Sequence, residues 1–202
     1  MKYIPHNHHR RSTRLKGHDY SQPGLYYITI CTKGKKCFFG NIIDGNMNLN
    51  IVGQIAFLYL MEIPNHFPGV DIIDNIIMPN HLHFVLKLGC SRDTTCRVPT
   101  TMNDTQIHGR WDITCDVPTM KFQTGDIRTN QFSKLVPGSV SVIIQQYKST
   151  VKRWTNENNY KYFQWQSRFY DHIIRNKQSF HNISNYIVNN PAKWNDDDFL
   201  MK

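Results

Sequence analysis

The chain has 202 residues, of which 40% are hydrophobic, so it is long enough for one domain with a substantial core, or for one domain with a large insertion. Its formal net charge of +9 favours a polyanionic partner, most simply nucleic acid, although a soluble basic protein without such a partner has the same composition. The five cysteines form no CxxC pair and indicate neither a disulfide framework nor a structural zinc site, which favours a reducing cytoplasm. The N-terminus lacks the apolar segment of a signal peptide, and no apolar run is long enough to span a membrane.

The first half of the chain predicts a basic arm followed by strands and one helix. Residues 1–23 are rich in Arg, Lys and His and are predicted to form an N-terminal arm ahead of one domain over residues 24–202. In that domain "LYYITICT" predicts a strand, and Asp44-Gly45 between apolar stretches is a hairpin signal. The apolar positions of "IVGQIAFLYLMEIPNHFP" predict a helix that ends near Pro64, and "VDIIDNIIMPNHLHFVLKL" predicts two strands with a break at Pro79-Asn80.

The second half begins with a change in composition. Residues from about 89 to 138 are polar, rich in Thr and without periodicity, and are predicted to be an insertion. After them, "SVSVIIQQYKSTVKRW" predicts a helix with Ser139 as its N-cap, "YFQWQSRFYDHIIRN" a strand, and "QSFHNISNYIVNNPAKW" a helix that ends before Pro191. This order of elements favours an α+β fold, a ferredoxin-like sandwich in which helices pack on an antiparallel sheet.

Two histidines stand out in the apolar run "MPNHLHFVLKL". Because side chains alternate along a strand, His81 and His83 are expected on one face, with Leu82 and Phe84 on the other. Two neighbouring imidazoles on a rigid strand can hold one metal ion. They can equally be core histidines with backbone partners.

The last predicted helix carries a tyrosine and an asparagine four residues apart. Tyr186 and Asn190 therefore share one face of that helix. If this face meets the histidine strand, Asn190 could complete a metal site and Tyr186, a side chain that can act as a covalent nucleophile, would lie beside it. The alternatives are a core aromatic for Tyr186 and a helix C-terminal residue for Asn190, and Tyr170 is a rival nucleophile.

These residues resemble a known family. "MPNHLHFVL" matches the His-hydrophobic-His (HUH) motif of the single-tyrosine endonucleases, and the chain is most similar to the REP-associated tyrosine transposases. The triplet alone is a weak signal, but four blocks in the family's order make a specific one. The blocks are "RRSTRLKGHDYSQPGLYYITICTKGKKCFFGNI", "IPNHFPGVDIIDNIIMPNHLHFVL", "WQSRFYDHIIRN" and "ISNYIVNNPAKW".

The resemblance implies a ferredoxin-like domain that uses Mg²⁺ or Mn²⁺ to cleave and rejoin single-stranded DNA next to hairpins. It aligns His81 and His83 with the metal-binding histidines, Tyr186 with the nucleophile, and Asn190 with a polar metal ligand. The insertion is the departure from the family pattern.

Basic residues are candidates for contacts with DNA phosphates. Arg168 and Arg175 flank the strand before the last helix, and surface solubility is the alternative reading for both. A solvated tail is the alternative for the candidates in the N-terminal arm, which are Arg10, Arg11, Arg14 and Lys16.

The sequence thus predicts a metal-dependent DNA endonuclease and strand transferase, a transposase-like enzyme with a 5′-phosphotyrosine intermediate. It would work in the bacterial cytoplasm, associated with the nucleoid, as a monomer or a homodimer. The first alternative is a non-catalytic protein that binds structured nucleic acid on the same fold. A metal-binding regulatory protein without a DNA role is the second, and the charge of +9 disfavours it.

Overall fold

The computed structural model describes residue 15, residues 17–89 and residues 136–196. The predicted arm cations Arg10, Arg11, Arg14 and Lys16, and all but the ends of the predicted insertion at 89–138, lie outside the described residues. In chain order the elements are β1 (Gly24–Cys31), β2 (Gly40–Ile43), β3 (Asn46–Leu49), α1 (Ile51–Met61), α2 (Ile63–His66), β4 (Val70–Ile77), β5 (His81–Leu88), α3 (Val140–Glu157), β6 (Tyr170–Ile174) and α4 (Lys177–Asn189), with 3-10 turns at Lys33–Lys35 and Pro191–Asp196.

A four-stranded antiparallel sheet organises the domain. Its strand order is β4-β5-β1-β6. Thus β4 and β5, which are consecutive in the chain, pair with each other, and β1 lies between β5 and β6. With α1 before β4 and α3 before β6, this is the βαββαβ arrangement of a ferredoxin-like domain. The predicted α+β ferredoxin-like sandwich is confirmed.

The main core lies between one face of the sheet and the helices α1 and α3. Alternate residues of β1 and β5 point into it and are fully or almost fully buried, among them Ile28, Leu82 and Phe84. The hydroxyl of Tyr147 on α3 donates a hydrogen bond of 2.9 Å to the carbonyl of Ala56 on α1, so the buried polar group is satisfied. This core holds the central strands rigid.

The opposite face of the sheet is covered by α4. A second, smaller apolar cluster joins Ile187 of α4 to Val85 of β5 and Ile174 of β6. Burial of a side chain such as Ile187 contributes about 1.5–3 kcal/mol to this packing. The helix that carries Tyr186 and the strand that carries the two histidines are therefore packed against each other.

The predicted hairpin at Asp44-Gly45 is also present, as β2 and β3. Asp44 and Gly45 both have positive φ, at 50° and 73°, as the two central residues of a type I′ turn require. A Cβ placed on Gly45 would lie 3.8 Å from the Cα of Ala192. The tip of the hairpin thus packs beside the 3-10 turn that follows α4.

Two local predictions need correction. The helix predicted to end near Pro64 ends at Met61, and Pro64 lies in the first turn of α2, where a missing N–H costs nothing. The strand predicted in "YFQWQSRFYDHIIRN" is shorter than expected, since only Tyr170–Ile174 pairs regularly with β1. Before Tyr170 the pairing is reduced to an isolated bridge between Thr32 and Trp165. Ser139 is the N-cap of α3, as predicted, although its side chain makes no capping hydrogen bond.

Within the described part of the chain, no helix combines the length and the hydrophobicity needed to cross a lipid bilayer.

Candidate active site

His81 and His83 lie side by side on the face of the sheet that α4 covers. Their ring centroids are 4.5 Å apart, and their side chains are 0% and 1% exposed. Leu82 and Phe84 point into the main core instead, as the alternation of a strand requires. Both imidazoles form hydrogen bonds with neighbouring side chains, and the two partner sets differ.

Asn80 fixes the orientation of His81. The amide nitrogen of Asn80 donates to the carbonyl of Lys35 at 3.0 Å, so the amide oxygen faces Nδ1 of His81, at 2.7 Å, as an acceptor. Nδ1 of His81 must then carry the proton, which leaves the lone pair on Nε2. Thr32 supports the arrangement, because its backbone N–H and its hydroxyl both donate to the carbonyl of Asn80, at 2.9 and 3.0 Å.

Two hydroxyl groups of β1 hold His83. The register between β1 and β5 sets Thr29 opposite His83, and the hydroxyls of Thr29 and Tyr27 both lie 2.8 Å from Nδ1. The ring of Tyr27 also stacks on that of His83, with centroids 5.5 Å apart. Nε2 of His83 consequently points away from β1, towards α4.

Both histidines are neutral at physiological pH. Burial lowers the pKa of His81 to about 2, with smaller contributions from the neighbouring His83 and from the positive charge of Lys35. Burial lowers the pKa of His83 to about 3. A neutral imidazole is the form that can bind a metal ion.

Tyr186 of α4 lies over His83. Its hydroxyl is 3.5 Å from Nε2 of His83, the ring centroids are 5.3 Å apart, and the side chain is 45% exposed. A hydrogen bond from the hydroxyl of Ser184 to the carboxylate of Asp74 on β4 ties the same helix to the sheet. The phenol is therefore held at the histidine pair while solvent can still reach it.

Asn190 is the C-cap of α4 and is only 4% exposed. It lies one helical turn after Tyr186, which contacts His83, and four residues before Trp194, whose ring centroid is 6.1 Å from that of His81. Within the described residues, its side-chain oxygen has no hydrogen-bond partner. A buried oxygen left in this state costs about 1–3 kcal/mol, so a bound group that it could contact is expected.

This donor set fits a divalent cation. Two neutral imidazoles and one amide oxygen leave coordination positions for water or phosphate, as Mg²⁺ and Mn²⁺ sites require. No cluster of three or more His, Cys, Asp or Glu side chains that could hold a metal occurs in the described ranges. A closed structural zinc site is accordingly not indicated there.

The structure does not bring the other predicted residues to the histidine pair as closely. Tyr170, 49% exposed, pairs with Thr29, so one strand separates it from β5 and its backbone is roughly 9–10 Å from that of His83. Arg168 and Arg175 are exposed on either side of β6. Tyr186 is thus the nearer of the two candidate nucleophiles.

Sequence reasoning missed Asn80, Tyr27, Thr29 and Lys35. Lys35 follows Gly34, and both have positive φ, at 52° and 64°, in the turn after β1. The positive charge of Lys35 contributes to the lowered pKa of His81. The run "KGKK" directly after a strand was the only signal for this cation, and it did not show that the turn reaches the histidines.

Comparison with solved structures identifies the class of fold. The chain is similar to a REP-associated tyrosine transposase whose structure was solved bound to a REP hairpin, with a TM-score of 0.51 and 16% identity over 90% of this chain and 74% of that chain. The chain therefore has a transposase-like fold, and the resemblance to the REP-associated tyrosine transposases is confirmed at the level of the fold.

A sequence relative gives the closer relationship. The chain is 35% identical over 200 residues to an uncharacterized protein of Haemophilus influenzae (strain Rd), and the alignment covers 99% of this chain and 98% of the relative. The chain belongs to the same family as this protein. No family model matches it.

Proposed function

We propose that the protein is a metal-dependent endonuclease and strand transferase of single-stranded DNA, acting next to hairpins with Tyr186 as its nucleophile. One observation carries the proposal: a half-exposed tyrosine hydroxyl lies 3.5 Å from a buried, neutral histidine pair. A tyrosine that only filled the core would have its hydroxyl buried or turned to solvent away from other functional groups. Here it faces the donor set instead.

His81, His83 and Asn190 are the residues that would hold Mg²⁺ or Mn²⁺. When bound, the cation would polarise the phosphoryl group and stabilise the leaving oxygen. Asn80 keeps the lone pair of His81 on Nε2, and the hydroxyls of Tyr27 and Thr29 hold the ring of His83.

The reaction is a transesterification. The hydroxyl oxygen of Tyr186 attacks a backbone phosphorus, the bond from that phosphorus to the 3′ oxygen breaks, and the 3′ oxygen leaves with a proton as a hydroxyl. The 5′ phosphate stays on Tyr186, so the energy of the broken phosphodiester is kept. Attack by another 3′ hydroxyl reverses the step and joins two strands.

Charge and the comparison with the solved transposase support DNA as the substrate. The formal charge of +9 favours a polyanion, and Lys35, Arg168 and Arg175 provide cations near the histidine face and at both ends of β6. The solved transposase is bound to a REP hairpin, which supports a hairpin next to the cleaved strand. The proposed place of action is the bacterial cytoplasm, with the nucleoid.

The test is covalent capture. Labelled single-stranded oligonucleotides from the flanks of the protein's own gene are incubated with the protein and Mg²⁺ or Mn²⁺, then run on a denaturing gel. The expected result is a labelled protein–DNA band that needs the metal. DNA binding without such a band under any of these conditions would favour the non-catalytic alternative.

A further inference from the structure

A cleft runs along the outer face of α3, away from the histidine pair. It has a volume of about 850 Å³, within the range of ligand-binding pockets, and its second wall is the segment that precedes β6. The part of α3 that lines it, from Ser141 to Asn156, is about 22 Å long at 1.5 Å per residue. The lining residues from the second wall are Gln164, Trp165, Gln166, Ser167 and Phe169.

The cleft is cationic. Lys148, Lys152 and Arg153 line it, no acidic side chain of the described residues does, and most of the other described lining side chains are neutral and polar. Among the described residues, none of the three cations forms an ion pair with a carboxylate. Three uncompensated cations along one cleft favour an anionic ligand.

The two lysines are held in place by the second wall. Nζ of Lys148 donates to the carbonyls of Gln166 and Arg168, at 2.5 and 3.5 Å, and Nζ of Lys152 donates to that of Phe163 at 2.5 Å. Carbonyls orient an ammonium group without cancelling its charge. Because burial lowers the pKa of Lys148 to about 8, a bound anion would also offset the cost of keeping that lysine charged.

The second wall of the cleft leads along the chain towards the candidate active site. Its second wall ends at Phe169, and the next residue, Tyr170, is the first of β6 and pairs with Thr29, whose hydroxyl bonds to His83. A polymer that followed this segment out of the cleft would pass around the edge strand β6 to the face that carries Tyr186.

We propose that this cleft binds a single-stranded stretch of the DNA substrate through its phosphates, as an anchoring site beyond the bond that is cut. The inference rests on the proposed function for the identity of the polymer. Its cationic lining and the aromatic side chains in its wall, Trp165 and Phe169, suit a single strand, whose phosphates can contact the cations and whose bases can stack on the rings.

Ser149 offers a test that leaves both lysines in place. It lines the cleft and is exposed on α3, so Ser149→Glu adds a negative charge there without removing a contact, and Ser149→Gln is the matched neutral control. Fluorescence anisotropy with labelled (dT)20 should show affinity about 5-fold lower for Ser149→Glu, with Ser149→Gln close to wild type. Equal affinity of the two variants would overturn the inference.

A salt titration and a footprint add independent readouts. Arg153→Gln should reduce the slope of log K against log salt by about 0.7, whereas Lys161→Gln, an equal charge change outside the cleft, should not. In mass-spectrometric acylation, (dT)20 should protect Lys148 and Lys152 more than Lys161. Equal protection of the three lysines would count against the cleft.

Covalent capture separates this inference from the proposed function. If wild type forms no covalent band but Ser149→Glu loses affinity for (dT)20, the inference that the cleft binds single-stranded DNA is supported and the proposed catalysis is wrong. If wild type forms the band and Ser149→Glu binds (dT)20 as Ser149→Gln does, the catalysis stands and the cleft inference is wrong.

Discussion

The hydroxyl of Tyr186 and Nε2 of His83 meet at 3.5 Å, although 103 residues separate them in the chain. The contact joins α4 to β5, the most buried strand of the sheet. Ile187, next to Tyr186, supplies the apolar anchor, and the bond from Ser184 to Asp74 supplies a polar one. The phenol is therefore positioned by residues on both sides of it.

Tyr186→Phe should abolish the covalent protein–DNA band, because it removes only the attacking oxygen. Binding of single-stranded DNA, measured by anisotropy, should stay within about 2-fold of wild type, since one rim hydroxyl contributes little to a largely electrostatic affinity. Tyr170→Phe is the matched control on the same face of the sheet and should retain the band. Loss of the band in Tyr170→Phe, with retention in Tyr186→Phe, would reverse the assignment.

Asn80→Ala should weaken binding of Mn²⁺ by about 10- to 100-fold, because the acceptor that keeps the lone pair of His81 on Nε2 is lost. Calorimetric titration measures this directly. Asn80→Asp keeps an acceptor oxygen and should retain more of the affinity than Asn80→Ala. If both variants bind Mn²⁺ as wild type does, Asn80 has no part in preparing the site.

Local periodicity predicted which residues of the candidate site share a face of the same strand or helix. Strand alternation is enough to set His81 and His83 on one face, and a spacing of four residues is enough to align Tyr186 with Asn190. Both rules act within a single element. The fold class followed in the same way, from the order of strands and helices.

The supporting residues depend on contacts between elements. Thr29 and Tyr27 bond to His83 only because β1 pairs with β5 in one particular register, which no periodicity determines. Lys35 reaches His81 through two consecutive residues with positive φ. The cleft along α3 exists because residues 164–169 pack beside the helix instead of continuing the predicted strand.

The buried histidines should make stability depend on pH in the absence of metal. Their folded-state pKa values, about 2 and about 3, lie below the ordinary value of 6.5, so below pH 6.5 the unfolded chain binds protons that the folded chain does not. Stability is then highest above pH 6.5 and falls as pH decreases, by up to about 1.4 kcal/mol per pH unit for each histidine.

Urea unfolding at pH 7 and pH 5.5, in chelator, measures this loss. His83→Gln should lose less stability over that interval than wild type, whereas a change at an exposed histidine, His172→Gln, should leave the loss unaltered. The same pH dependence in wild type and His83→Gln would mean that His83 does not titrate as its burial requires.

Deletion of residues 2–16 should weaken DNA binding mainly through electrostatics. Each lost phosphate contact should reduce the salt slope on a single strand by about 0.7, and the arm carries four candidate cations, Arg10, Arg11, Arg14 and Lys16. Anisotropy with (dT)20 at several salt concentrations gives the slope, with Lys161→Gln as the single-charge control. An unchanged slope would show that the arm makes no phosphate contacts.

Removal of the metal should inactivate the protein without unfolding it. The main core between the sheet, α1 and α3 is independent of the histidine face, so a chelator should leave the circular dichroism spectrum unchanged while the covalent band disappears. Addition of Mg²⁺ or Mn²⁺ should restore the band in wild type. In His81→Ala or His83→Ala the fold should survive, but the band should not return with Mg²⁺, because only two of the three proposed ligands would be left to hold the cation. A protein that unfolds in chelator would instead hold a structural metal, and a band that persists in chelator would remove the metal from the reaction.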